Sequence, residues 1–141
     1  MNTEPPNVFE RRFPNSLPDL GRVTEEAMRF IEAHGVNGQA SYVANLAIEE
    51  MVTNTLKFGY KDDATHEILL RVEVLPQRLV LTIEDDGHEF NPLTAPDPDV
   101  HLPAEQRTPG GLGIHLVRKF AEDMRYERRD GRNRLIIAIR C

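Results

Sequence analysis

A single cysteine, Cys141, stands in 141 residues, so no disulfide can close within the chain and no cysteine cluster can hold a metal. No apolar run approaches the length of a membrane span, and the opening M-N-T-E-P-P-N lacks the hydrophobic centre of a signal peptide. The expectation is a cytoplasmic protein with no membrane partner. Positive charge is scarce over most of the chain. The net charge is −6, but residues 125–141 hold six arginines against Glu127 and Asp130, which leaves −10 on the first 124 residues. An acidic body disfavours nucleic acid as the partner, and the arginine-rich end reads as the outer face of a hairpin. Internal repeats and dividing linkers are also absent. With 40% hydrophobic and 28% charged residues, the chain reads as one domain, 1–141, large enough to bury its own core.

What is present centres on A-I-E-E-M-V-T-N-T-L-K-F-G-Y, Ala47–Tyr60. Read as a helix, it places Ala44, Ala47, Met51 and Phe58 on one apolar side and Ile48, Val52 and Leu56 on a second. Glu50, Thr53, Asn54 and Lys57, at i, i+3, i+4 and i+7, fall in one line between them. Burying a carboxylate, a hydroxyl, an amide and an amine costs free energy unless partners are supplied. A solvated face with Glu–Lys pairing and a metal and phosphate site both fit this stripe when it is taken alone.

Around that helix the periodicities mark the other elements. Val8–Phe13 alternates as a short edge strand, and Pro18–His34 has helical spacing with Gly35 and Val36 as its stop. Glu67–Val74 and Arg78–Asp85 alternate as two strands joined at Pro76-Gln77. The period of two carries Asp85 to the inward side with Leu79, Leu81 and Ile83. Asn91–Pro109 holds five of the ten prolines and no periodicity, which suits a lid. A helix follows with Leu116, Val117, Phe120 and Ala121 inward. Asp123–Glu127 and Arg134–Arg140 close the chain as a hairpin around Asp130-Gly131. The order predicts an α+β two-layer sandwich, a mixed, mainly antiparallel sheet covered on one face by helices.

Three pieces carry chemistry. The polar stripe is the first. Asp85-Asp86-Gly87 is the second: Asp85 either initiates a turn or accepts a hydrogen bond from an exocyclic amine, with Gly87 letting a flat ring approach. Gly110-Gly111-Leu112-Gly113 before a helix is the third, either a flexible loop end or a phosphate cradle. It lacks the Lys-Ser/Thr ending of a P-loop.

Taken jointly, Glu-x-x-x-Asn on a helix, Asp-x-Gly at a strand end, and Gly-x-Gly opening a helix resemble the Bergerat-type (GHKL) ATP-binding fold. More narrowly, I-E-E-M-V-T-N-T-L-K-F-G-Y, I-E-D-D-G-H-E-F-N-P and G-G-L-G-I-H-L-V-R-K-F resemble the serine kinases that act as anti-sigma factors, over roughly Leu17 to Ile139. The resemblance implies ATP and Mg2+ as cofactors, with Glu50 as general base and Asn54 as magnesium ligand. It makes Asp85 the adenine-reading carboxylate beside Gly87, with Gly111 and Gly113 holding the phosphates. One amide oxygen suffices for a magnesium ion that keeps its waters and the triphosphate. Phe58 stands where many of these kinases have His, and Lys57 resembles the phosphate-approaching lysine of histidine kinases. His115 and Arg107 either meet phosphate or face solvent.

The implied activity is a serine/threonine protein kinase that phosphorylates a small antagonist protein and binds a sigma-like factor or other effector, as a homodimer. The alternatives are a nucleotide-dependent sequestering module and a detached histidine-kinase-like catalytic domain. His34, in E-A-H-G-V at a helix end, is a poor phosphoacceptor for the latter.

Overall fold

The computed structural model describes residues 7–94 and 111–141. The strands are β1 (Val8–Pro14), β2 (Glu67–Leu75), β3 (Arg78–Asp85), β4 (Asp123–Arg129) and β5 (Arg132–Arg140). The helices are α1 (Leu17–Ala33), α2 (Gly38–Phe58) and α3 (Gly111–Phe120). The strands form one sheet in the order β1-β2-β3-β5-β4. Every pairing among the described residues is antiparallel, so the expected sheet holds without the parallel component that "mixed" implied. Two-residue connections at Pro76-Gln77 and Asp130-Gly131 permit only antiparallel neighbours. At the second, Asp130 and Gly131 take φ of 53° and 75°, the primed turn that matches strand twist.

Alternation sorts each strand into two faces. Phe9 and Phe13, Ile68, Leu70 and Val72, Leu79, Leu81 and Ile83, and Leu135, Ile137 and Ile139 are all buried, and they meet the helices in one core. Alpha-helix α2 packs between α1 and α3 and crosses β3 and β5. That central position explains why Ala44, Ala47, Ile48 and Val52 are fully buried on two of its sides.

The helix ends follow their side chains. Ser16 caps α1, accepting from the Asp19 N–H at 3.2 Å. Gly35 stops it at φ 84°, with its N–H donating to Glu32 O and that of Val36 to Ile31 O, the paired bonds of a Schellman stop.

Two inward assignments are corrected. Phe58 is 46% exposed and Phe120 41% exposed. Phe58 is the last residue of α2 and stands at the edge of a cavity over the end of the sheet. Among the described side chains of α3, Ile114 and Val117 are the buried apolar ones, a phase that leaves Leu116 half-buried and Phe120 turned outward beneath Lys119. The segment Asn91–Pro109, expected as a lid, lies outside the described residues from position 95 onward. Pro92–Thr94 form a single 3-10 turn. Arg107 and Gly110 also lie outside.

Candidate functional site

The inward face of the sheet is apolar until its last row. There the register sets Asp85 opposite Asn133, and Asn133 opposite Arg128 on β4. Asp85 and Asn133 are 6% and 7% exposed. A buried carboxylate survives only with its lone pairs engaged, and Asp85 Oδ1 accepts from the Gly87 N–H and from Asn133 Nδ2, both at 2.9 Å. Its Oδ2 faces the Thr55 hydroxyl at 3.4 Å, but that hydroxyl donates at 3.1 Å to Met51 O. A hydroxyl has one hydrogen, so Oδ2 retains acceptor capacity.

Asp85 lines a cavity of about 40 Å³ together with Asn54, Thr55, Phe58, Phe90 and Tyr126. The volume suits about one water, against the about 300–1,000 Å³ of a small-molecule site. Phe58 and Phe90 are also exposed, so they stand at the mouth. The loop after β3 docks on the end of α2. The His88 N–H donates to Gly59 O at 2.9 Å and its ring pairs with Phe58 O, occupying carbonyls that the helix leaves unbonded.

This docking gives Gly87 its reason. A Cβ there would meet Gly59 O at 2.7 Å and Asp85 Oδ1 at 3.0 Å, so two backbones approach too closely for a side chain. Gly87→Ala should therefore destabilise by about 1–3 kcal/mol, as overpacking of a rigid contact does. Chemical denaturation with an unchanged midpoint would show that the loop moves aside freely.

Of the stripe on α2, Asn54 is buried, Glu50 and Thr53 are half-buried, and Lys57 is exposed. Asn54 Nδ2 has no hydrogen-bond partner among the described residues. An unpaired buried donor costs about 1–3 kcal/mol, which an oxygen of a bound anion would offset. Turned over, the same amide presents an oxygen suited to a hard cation. Glu50 points away from the Asp85 cavity to the first turn of α3, where a Cβ on Gly113 would overlap its carboxyl group. The absent side chain at Gly113 thus makes room for Glu50. Burial pushes the Glu50 carboxyl above its usual 4.5, Lys57 opposes that rise, and Glu49 adds to it. Gly111 opens α3, and His115 is half-buried in its first turns. His34 caps the end of α1, its ring nitrogen 2.9 Å from Phe30 O.

The structure therefore brings Asn54 and Asp85 to one cavity, with Gly87 bonded to Asp85 and packed on Gly59, and Glu50 and Gly113 to a second contact one turn along α2. Sequence reasoning missed Asn133, Arg128 and Tyr126. The period of two extended two residues further on β4 and two on β5 would have placed all three inward.

A second polar cluster closes the loop between α2 and β2. His66 lies between two carboxylates, Nε2 2.7 Å from Asp62 and Nδ1 3.1 Å from Asp86, with Tyr60 stacked on its ring at 4.1 Å. Both nitrogens must donate, which only the imidazolium does. The hydrogen bond to Asp62, then that to Asp86, raises the His66 pKa above 6.5. Asp62 is correspondingly lowered, chiefly by the same bond. Around Tyr60, whose hydroxyl burial pushes above its ordinary value, stand Asp85, Asp86 and Arg132.

For a group raised on folding, the stabilisation is complete below its unfolded value near 6.5 and is lost as pH climbs through the raised folded value. Thermal melts from about pH 6 to about pH 9 should show wild type losing more stability above 6.5 than His66→Gln. Parallel pH profiles would remove His66 from this role.

Among the described residues no helix is long and apolar enough to cross a membrane. The chain is 27% identical over 96 residues to serine/threonine-protein kinase BtrW of Bordetella bronchiseptica, 68% of each chain. It is 28% identical over 90 residues to serine-protein kinase RsbW of Bacillus subtilis, 61% of this chain and 56% of that protein. Its fold is similar to the histidine kinase domain of the Erythrobacter litoralis blue-light activated histidine kinase. There the TM-score is 0.55 at 20% identity, over 86% of this chain and 59% of that one. The family model described as the histidine kinase-like ATPase domain matches residues 13–139. A match of that extent, on a chain whose described residues form a five-stranded antiparallel sheet under three helices, places this protein in the histidine kinase-like ATPase domain family.

Proposed function

We propose that this protein is an ATP-dependent serine/threonine protein kinase of the anti-sigma-factor type. It binds a sigma-like factor or another effector and phosphorylates a small antagonist protein, working as a homodimer of single-domain chains. The observation that carries this reading is the position of Glu50. Its carboxyl group lies against the opening turn of α3, one helical turn from Asn54, whose amide lines the cavity of Asp85. The relatives named as serine and serine/threonine kinases support the choice of acceptor.

On this reading each residue has a task. Asp85 Oδ2 accepts from the amine of adenine, and Gly87 keeps the loop beside the base. Phe58, His88 and Phe90 part to admit the ring, since the cavity is smaller than a base. Asn54 meets the phosphates and their cation, and Lys57, Gly111 and Gly113 stand on the phosphate side. Bound Mg2+ supplies charge neutralisation across the phosphate oxygens. Glu50 orients the acceptor hydroxyl and takes its proton as the oxygen bonds to the γ-phosphorus and ADP leaves. A carboxyl raised by burial is the stronger base for it.

The test is transfer of labelled phosphate from ATP to a candidate partner, with the labelled residue mapped. Label on Ser or Thr of the partner is expected. Label on a histidine would make the chain histidine-kinase-like, and tight partner binding without transfer would make it a sequestering module.

A further inference from the structure

The last inward row of the sheet, Asp85–Asn133–Arg128, contains two residues with no task in the reading above. Asn133 is buried and fully engaged. Its Nδ2 donates to Asp85 Oδ1 at 2.9 Å and to His88 O at 3.0 Å, with Gly87 O further off at 3.4 Å. Its Oδ1 accepts from the Tyr126 hydroxyl at 2.5 Å and from Arg128 Nη1 at 3.1 Å. The same Arg128 nitrogen donates to Gly87 O at 2.7 Å. Reversing the amide would set its oxygen against a carboxylate and two carbonyls, and its NH2 against a guanidinium. Arg128, a donor that cannot lose its proton, thus dictates which way Asn133 points.

The consequence falls on Asp85. A free carboxylate rotates and offers either oxygen in several directions. Here one oxygen is claimed by the Gly87 N–H and by an amide that can only donate, so the other stands at a set place on the cavity wall. An acceptor in a set place discriminates. It bonds a ring bearing an amine there and opposes a ring bearing a carbonyl, which puts oxygen against oxygen.

We propose that Asn133, oriented by Arg128 and Tyr126, is a specificity-determining positioning residue: it sets Asp85 so that the site selects an amine-bearing purine over a carbonyl-bearing one. This rests on the adenine reading of Asp85 and adds the residues that make that reading selective. Asn133 itself bonds the protein and not the base.

The experiment compares the magnesium complexes of ATP and inosine triphosphate, which differ by amine against carbonyl at one ring carbon and by a proton on the neighbouring ring nitrogen, by calorimetry on the full chain. Wild type should prefer ATP by about 10²-fold or more. Asn133→Ala should bind ATP about tenfold more weakly and inosine triphosphate within a few-fold of wild type, so that the ratio collapses. Asn133→Ser, which restores a hydroxyl donor, should recover part of it. Loss of stability alone would lower both affinities together and leave the ratio standing. Arg128→Met, on the edge strand, tests the same chain of bonds without emptying a buried position, and should also lower the ratio. If wild type discriminates and either variant keeps the wild-type ratio in a folded protein, the inference is overturned while the role of Asp85 stands. If wild type does not discriminate, the adenine reading of Asp85 falls, and this inference with it.

Discussion

Glu50→Gln should keep Mg·ATP affinity within a few-fold of wild type and cut phosphotransfer to the protein partner by about 10²–10⁴. The side chain keeps its shape, so its contact with Gly113 and the seating of α3 against α2 are retained. What it loses is the ability to take a proton. Asn54→Ala should differ by losing nucleotide affinity as well, because Asn54 lines the cavity of Asp85 whereas Glu50 does not. The unmodified partner should stay bound to the Gln variant, since an introduced phosphate breaks an interface by charge and desolvation. The acid limb of the wild-type rate should lie above the ordinary carboxyl value of 4.5, because burial raises Glu50 and the base works deprotonated. Transfer by the Gln variant at the wild-type rate would strip Glu50 of its role.

Asp85→Asn should leave the fold intact and weaken ATP binding by about 10²-fold. The direction follows from which oxygen is already engaged. The Gly87 N–H and Asn133 Nδ2 both donate to Oδ1, so the new amide must keep its oxygen there. Its NH2 is then forced to the place of Oδ2, on the cavity wall, where it meets the amine of adenine donor to donor. An unmade bond to a buried donor costs about 1–3 kcal/mol, and the lost bond to a charged acceptor a similar amount. Calorimetry that finds unchanged ATP affinity in a folded variant would remove Asp85 from the site.

Asp85 was legible because one strand carries its own evidence of phase: Leu79, Leu81 and Ile83 establish an inward side, and a carboxylate on that side is an anomaly. Gly35 was legible for a similar reason, since a glycine followed by Val36 after a helical repeat is a local stop signal. Phe120 was misread because its helix is ten residues long and two phases fit so short a repeat. Only the packing of Ile114 and Val117 on α2 chooses between them.

The amino-acid order alone determined the element sequence, the inward side of each strand and the stripe of Glu50, Thr53, Asn54 and Lys57, because these depend on periods of two and 3.6 within one segment. The tertiary structure alone decided how that stripe divides, with Asn54 turned to the Asp85 cavity and Glu50 to α3, since neighbours from separate elements set each side chain's surroundings. It also decided why Gly87 is glycine: the backbone of Gly59, 28 positions earlier, passes where a Cβ would stand. And it alone assembled Asp85, Asn133 and Arg128, which come from three strands and share a row only through the register of two antiparallel pairings. Hydrogen bonds between strands set that register, and no single segment contains them.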